Sequence, residues 1–337
     1  MARQLFAVRP HAGAHRVALR VGISVLVPLL VVVAIGRPEW STYAAFGAFT
    51  SLYGRNRVHL SRLRMQATLG VLLTVSVALG VLVGSLDARS WWSVPIAAVL
   101  AGGGAILSDL QDWHPPGPLF LVFAFSVTAS IPSRVSEIPL AVAVSAAASV
   151  FAVLVGTVGW LRRPMPTAPD LGRRSLGTLW HRRVVQRHLL RYLPAVVLAG
   201  STATVMGIGH PYWAMVSAVV PMAAPDLVGQ LIRAAHRLLG TFLGLGLSAV
   251  LLALDARGLA LVLLIVALQV LAELFVGRNY GLALIFVTPL ALLMGEIAVP
   301  HPAAELLADR GTETLIGVFF AIALTVLVRD RSAYPSR

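Results

Sequence analysis

Twelve predominantly apolar runs, separated by short loops rich in arginine, leave this chain one kind of solvent in which to fold. They cover residues 17–36, 40–53, 65–86, 92–107, 118–131 and 138–160 in the first half, and 190–209, 212–231, 238–254, 258–276, 280–299 and 312–328 in the second. A helix that crosses the hydrocarbon core of a bilayer needs about 20 mostly apolar residues, and most of these runs approach that length. Hydrophobic residues make up 58% of the 337, charged residues only 12%, and the mean hydropathy is +0.83. A soluble domain has no interior large enough to bury such a composition. The expected fold is therefore an all-α integral membrane protein of about twelve transmembrane helices.

The halves resemble each other. Residues 36–68 and 209–241, laid over one another without a gap, match at Gly36/Gly209, Pro38/Pro211, Trp40/Trp213, Arg64/Arg237 and Thr68/Thr241. Each copy has a Gly-x-Pro-x-Trp turn, a small-residue apolar stretch, a basic segment and an Arg-x-x-x-Thr start to the next run. Self-similarity at one fixed interval indicates a duplicated unit.

Charge supplies the orientation. The net charge is +13, but the basic residues sit in short loops between apolar runs, where they set topology instead of gripping nucleic acid. Every one except His is Arg; the absence of Lys points to a GC-rich bacterial genome. Run 40–53 is short enough to be re-entrant, and five crossings per half would make inverted repeats. The central loop, with Arg162, Arg163, Arg173, Arg174, Arg182, Arg183, Arg187 and Arg191, would then face outward against the positive-inside rule. Six crossings per half keep it inside, so the expectation is two parallel six-helix repeats, at 1–160 and 189–329. An Arg- and Pro-rich cytoplasmic linker at 161–188 and a cytoplasmic tail at 330–337 complete the chain. Both termini lie in the cytoplasm, and the first run is retained as a crossing, since its repeat partner is internal.

Several chemistries are excluded. There is no Cys, so no disulfide, thiolate metal site or thiol nucleophile exists. The nine His show no metal-ligand spacing, and no P-loop, nucleophile elbow or His-Glu-x-x-His helix is present. The sequence reads as a non-enzyme and implies no cofactor.

In the second half, Arg237-Leu-Leu-Gly-Thr241 opens a helix and is followed by Glu273-Leu-Phe-Val-Gly-Arg-Asn-Tyr-Gly-Leu-Ala-Leu-Ile-Phe-Val-Thr-Pro-Leu290. This half resembles the FUSC family, the fusaric acid resistance proteins and related aromatic acid exporters; the first half shares the resemblance through the repeat. The family is distantly similar to the aluminium-activated malate transporters of plants. The resemblance implies a transporter in the bacterial inner membrane that exports organic or aromatic carboxylic acids with proton coupling. Its alternatives are an organic-anion channel and a non-transporting envelope scaffold. The implied partners are the lipid bilayer and a small organic anion, not nucleic acid; a homo-oligomer and accessory efflux subunits stay open. Longer family members carry a large cytoplasmic domain where this chain has the short linker.

Against that background, Arg64 and Arg237 are a candidate pair of anion-binding cations, because guanidinium presents a planar fork to a carboxylate. The competing reading has both snorkelling to headgroups at the inner interface. Thr68 and Thr241, one turn further in, either donate to the same carboxylate or bond back to their own helix. Asp109, Asp226 and Glu273 are candidate proton carriers, since a low dielectric favours the neutral carboxyl; Asp109 and Glu273 each end the fourth crossing of a half. The competing reading is a structural ion pair, with Arg278 for Glu273 and with Arg233 or Arg237 for Asp226. Thr288-Pro289 is a candidate helix break beside a substrate cavity, or a packed kink. Trp40 and Trp213 are expected at the outer interface as anchors, and small-residue stretches such as 101–105 and Gly240-x-x-x-Gly244 as close helix contacts.

Overall fold

A computed structural model describes residues 5–8, 13–55, 57, 59–158, 183–298 and 302–328. The described residues contain twelve α-helices and no strand. In the first half these are α1 (Ala14–Ala34), α2 (Ser41–Ala48), α3 (His59–Gly84), α4 (Arg89–Gln111), α5 (Leu119–Ser130) and α6 (Ile138–Thr157). The second half holds α7 (Arg183–Val205), α8 (Tyr212–Met222), α9 (Leu227–Ala253), α10 (Gly258–Val276), α11 (Tyr280–Ala298) and α12 (Ala303–Leu327). Most of the expected linker and all of the tail at 330–337 lie outside the described residues. The last residues of the linker, 183–188, belong to α7.

Eight of the helices are long and apolar enough to cross a membrane: α1, α3, α4, α6, α9, α10, α11 and α12. The protein is a multi-pass membrane protein. Of the about twelve transmembrane helices expected, α2, α5, α7 and α8 are not among these, three of them because they are short. The 8 residues of α2, 12 of α5 and 11 of α8 rise at most about 18 Å at 1.5 Å per residue, well short of a hydrocarbon core of about 30 Å. Every residue of α2 and of α8 is buried. Short helices followed by irregular backbone survive at membrane depth only when protein encloses them, and here it does.

Glycine makes that enclosure possible. A Cβ at Gly47 in α2 would overlap the Ser145 carbonyl of α6, and one at Gly317 in α12 would overlap the Ala214 carbonyl of α8. Gly244 brings α9 so near α11 that an added Cβ would stand 2.7 Å from the Thr288 Cβ. The main contacts of α2 are with α6 and α1, and those of α8 with α12 and α7; α3 packs on α5 and α6, α9 on α11 and α12. The halves are joined by two crossed pairings, α4 on α7 and α10 on α1.

Helix boundaries also shift. The loop expected between 231 and 238 does not exist: Asp226, in extended conformation, caps α9 by accepting from the Gly229 amide at 2.8 Å, which satisfies one of the free amides of a helix start. Arg233 and Arg237 are consequently inside a helix. α12 begins at Ala303, nine residues before the expected run, so Arg310 and Glu313 lie two to three turns inside it. Glu305 in its first turn suits the positive end of the helix dipole. α11 runs through the expected break at Thr288-Pro289 as one continuous helix, with Thr288 packed against Gly244 of α9.

Candidate functional site

The segment that follows α2 and the length of α8 border a cavity of about 150 Å³. Phe49 and Leu52 follow α2 into it, and Trp213, Val216, Val219 and Val220 line it from α8. Phe120 and Phe123 of α5 and Leu284, Val287 and Leu290 of α11 complete an apolar wall. The rings form a continuous series: Trp213 to Phe123 at 5.1 Å between centroids, Phe123 to Phe46 at 5.1 Å, Phe46 to Phe49 at 5.7 Å and Phe49 to Phe120 at 5.5 Å. Such edge and tilted contacts fix flat walls against which another ring can lie.

Into this wall project four guanidinium groups and one carboxylate. Arg237, 3% exposed, donates from Nε and Nη2 to the Ser217 hydroxyl at 3.3 and 3.0 Å. Arg310, 1% exposed, lies over the Trp213 ring at 3.7 Å from its centroid, and its Nε and Nη1 have no hydrogen-bond partner. Arg233 stands over the Tyr280 ring at 5.5 Å. Arg55 donates from Nη2 to Glu273 Oε2 at 3.1 Å, and both side chains are largely buried. Gln269, one turn before Glu273 on α10, faces the same space. A cavity with aromatic walls and more buried cations than anions can hold a flat organic anion. The rings cover its apolar body, and the free donors of Arg310 meet its charge.

The structure sorts the residues singled out from sequence. Arg237 and Glu273 line the cavity, but Arg64 is exposed in the second turn of α3 and does not. Nor do Arg64 and Arg237 occupy like depths, because α3 begins at His59 and α9 at Leu227. Thr68 is half-buried, while Thr241 and Thr288 are fully buried with hydroxyls lacking a partner; none of the three lines the cavity. Pro289, buried beside Thr288, does not line it either. Asp109 accepts from or bonds to His188 Nε2 at 2.7 Å in a separate polar pocket. Asp226, expected deep in its helix, is the exposed cap of α9. The partner of Glu273 is Arg55, not Arg278. Trp213, expected at the interface, is 3% exposed.

Sequence reasoning missed Arg55, Arg233, Arg310 and the cavity role of Trp213. Arg310 had a signal: a charged residue inside an otherwise apolar helix is costly unless it has a function or a partner. That signal was obscured because Glu305, Asp309 and Glu313 around it lower the local hydropathy and made the stretch resemble a loop. Arg55 had none, since its neighbours Arg57 and Arg62 are equally basic. Arg57 pairs with Asp112 at 3.0 Å and Arg62 donates to the carbonyls of Gly54 and Arg57, shaping the turn that delivers Arg55.

Residues 198–324 match the sequence model of the family described as fusaric acid resistance protein-like. The chain is also 34% identical over 143 residues to the uncharacterized membrane protein YvaC of Bacillus subtilis. That alignment takes in 42% of this chain and 23% of YvaC, so the chain spans less than a quarter of the length of the curated relative it matches. No solved structure matches. The matched region runs from α7 to α12 and supplies Trp213, Arg233, Arg237, Glu273 and Arg310 to the cavity, and over it the chain is similar to the fusaric acid resistance protein-like family.

Proposed function

We propose that the protein is a secondary transporter of the bacterial inner membrane that exports organic carboxylic acids, aromatic ones foremost, with proton coupling. The observation that carries this reading is the cavity itself. Aromatic walls and partner-free donors on Arg310 beside Arg237 suit a carboxylate on a ring, and the four guanidinium groups of the lining outnumber its one carboxylate. Glu273 is the carboxylate, of the three singled out from sequence, that lines this cavity; proton exchange there would release Arg55 to a substrate anion.

Two parallel six-helix repeats complete the proposal. The contacts support it: α1 on α2 corresponds to α7 on α8, α3 on α5 to α9 on α11, and the crossed pair α4 on α7 to α10 on α1. The turns support it too. Gly36 (φ +72°) and Gly207 (φ +68°) close α1 and α7 in the same way: the Gly36 and Arg37 amides donate to the Val33 and Val32 carbonyls, and the Gly207 and Ile208 amides to those of Thr204 and Ala203. Glycine stands at both turns because only glycine takes this left-handed conformation without strain. A site between repeats then sits where two rocking halves would expose it to one side at a time.

The test is efflux of 4-hydroxybenzoate from proteoliposomes holding the full chain. Export responsive to a pH gradient supports the reading. Flux indifferent to pH but following voltage identifies an anion channel instead, and no flux of any aromatic carboxylate removes transport of this class.

A further inference from the structure

Glu313 is 0% exposed, lies on α12 one turn beyond Arg310, and neither of its carboxyl oxygens has a hydrogen-bond partner. Two unused donors, Nε and Nη1 of Arg310, are on the same helix. Residues three apart on a helix lie side by side, yet the two side chains form no ion pair; Arg310 is turned onto Trp213. An ionised carboxylate buried without donors is strongly disfavoured, whereas a protonated one is tolerated. The geometry shown therefore suits a neutral Glu313 and a cationic Arg310 directed at the cavity.

We propose that Glu313 is a proton-carrying residue that governs Arg310: with its proton on, Arg310 faces the cavity and takes the substrate carboxylate; with its proton off, it draws Arg310 back into an ion pair and closes the site to anions. This rests on the anion-site reading of the cavity. Charge balances in both states. Guanidinium, bound carboxylate and neutral Glu313 sum to zero, as do guanidinium and ionised Glu313 with the cavity empty. Each anion bound takes up one proton from solvent, and each anion released returns it, so anion binding and proton uptake are linked one to one. The other ionisable groups acting on the pair are Arg237 from α9, Tyr212 from α8, Tyr280 from α11 and Asp309 on α12 itself. Asp309 is engaged by His210 at 3.0 Å and Arg237 by Ser217, which leaves Glu313 as the acid without a partner.

Calorimetric titration of the purified full chain with 4-hydroxybenzoate, in two buffers of different ionisation heat at one pH, counts protons taken up per anion bound. The unaltered chain is expected to show uptake that falls by about one proton in Glu313→Gln and returns in Glu313→Asp. Equal uptake in Glu313→Gln and the unaltered chain overturns the role of Glu313. Absence of binding to the unaltered chain overturns the anion site beneath it. A second measurement needs no variant. Affinity for benzenesulfonate, whose charge is fixed, should weaken about tenfold per pH unit once Glu313 ionises; an affinity flat from acid to alkaline pH overturns the proposal.

Discussion

The Arg310 guanidinium rests on the face of Trp213, 3.7 Å from the ring centroid, in a cavity that both side chains line. A tryptophan expected as an anchor at the outer interface and an arginine of α12 share one cavity wall. The ring holds the cation at the cavity wall without using its hydrogen-bond donors. Two of those donors, Nε and Nη1, stay without a partner.

Trp213→Leu should weaken 4-hydroxybenzoate binding about 5- to 30-fold, corresponding to roughly 1–2 kcal/mol for a desolvated cation–π contact. Trp213→Phe should lose less, since a ring remains. Titration calorimetry on the detergent-solubilised protein reads both; wild-type affinity in the Leu variant would show that the ring has no part in binding.

Arg237→Gln is expected to cut 4-hydroxybenzoate efflux about tenfold or more, because a charged donor pair contributes about 1.5–3 kcal/mol. Arg64→Gln should stay within about twofold, in keeping with an exposed side chain outside the cavity. Equal losses in the two would restore Arg64 to the site and would contradict the placement of α3.

The buried pair Arg55–Glu273 should behave as a unit. Either Arg55→Gln or Glu273→Gln alone strands a charge in a low-dielectric setting and is expected to destabilise by roughly 3–5 kcal/mol. The double variant should recover most of that in thermal unfolding in detergent. Additive losses would mean that the two groups do not depend on each other.

Close packing gives a prediction independent of transport. Gly317→Val drives a side chain into the α8 backbone, and overpacking of this kind costs about 1–3 kcal/mol. Gly103→Ala on α4, where nothing lies within 4 Å of an added Cβ, should be neutral or gain about 0.5–1 kcal/mol from helix propensity. Fluorescence-detected size exclusion after a heat step should separate them, and the reverse order would refute the helix contacts described above.

The sequence by itself determined what depends on local composition. Apolar runs dictate helices in lipid because each backbone group must be satisfied within its own segment. The motif from Glu273 to Leu290 pointed to the family whose model the second half matches and included several cavity residues, Glu273, Leu284, Val287 and Leu290 among them. Capping and charge already blurred the picture within single elements: Asp226 moved the start of α9, and four charged residues hid the first turns of α12. Which arginines matter was decided only by tertiary structure. Arg55 finds Glu273 across 218 residues of chain, and Arg237 reaches Ser217 from a neighbouring helix. Arg64, with the same local motif as Arg237, faces outward. The difference lies in what packs around each guanidinium, which helix-to-helix contact fixes and which no property of the local sequence encodes.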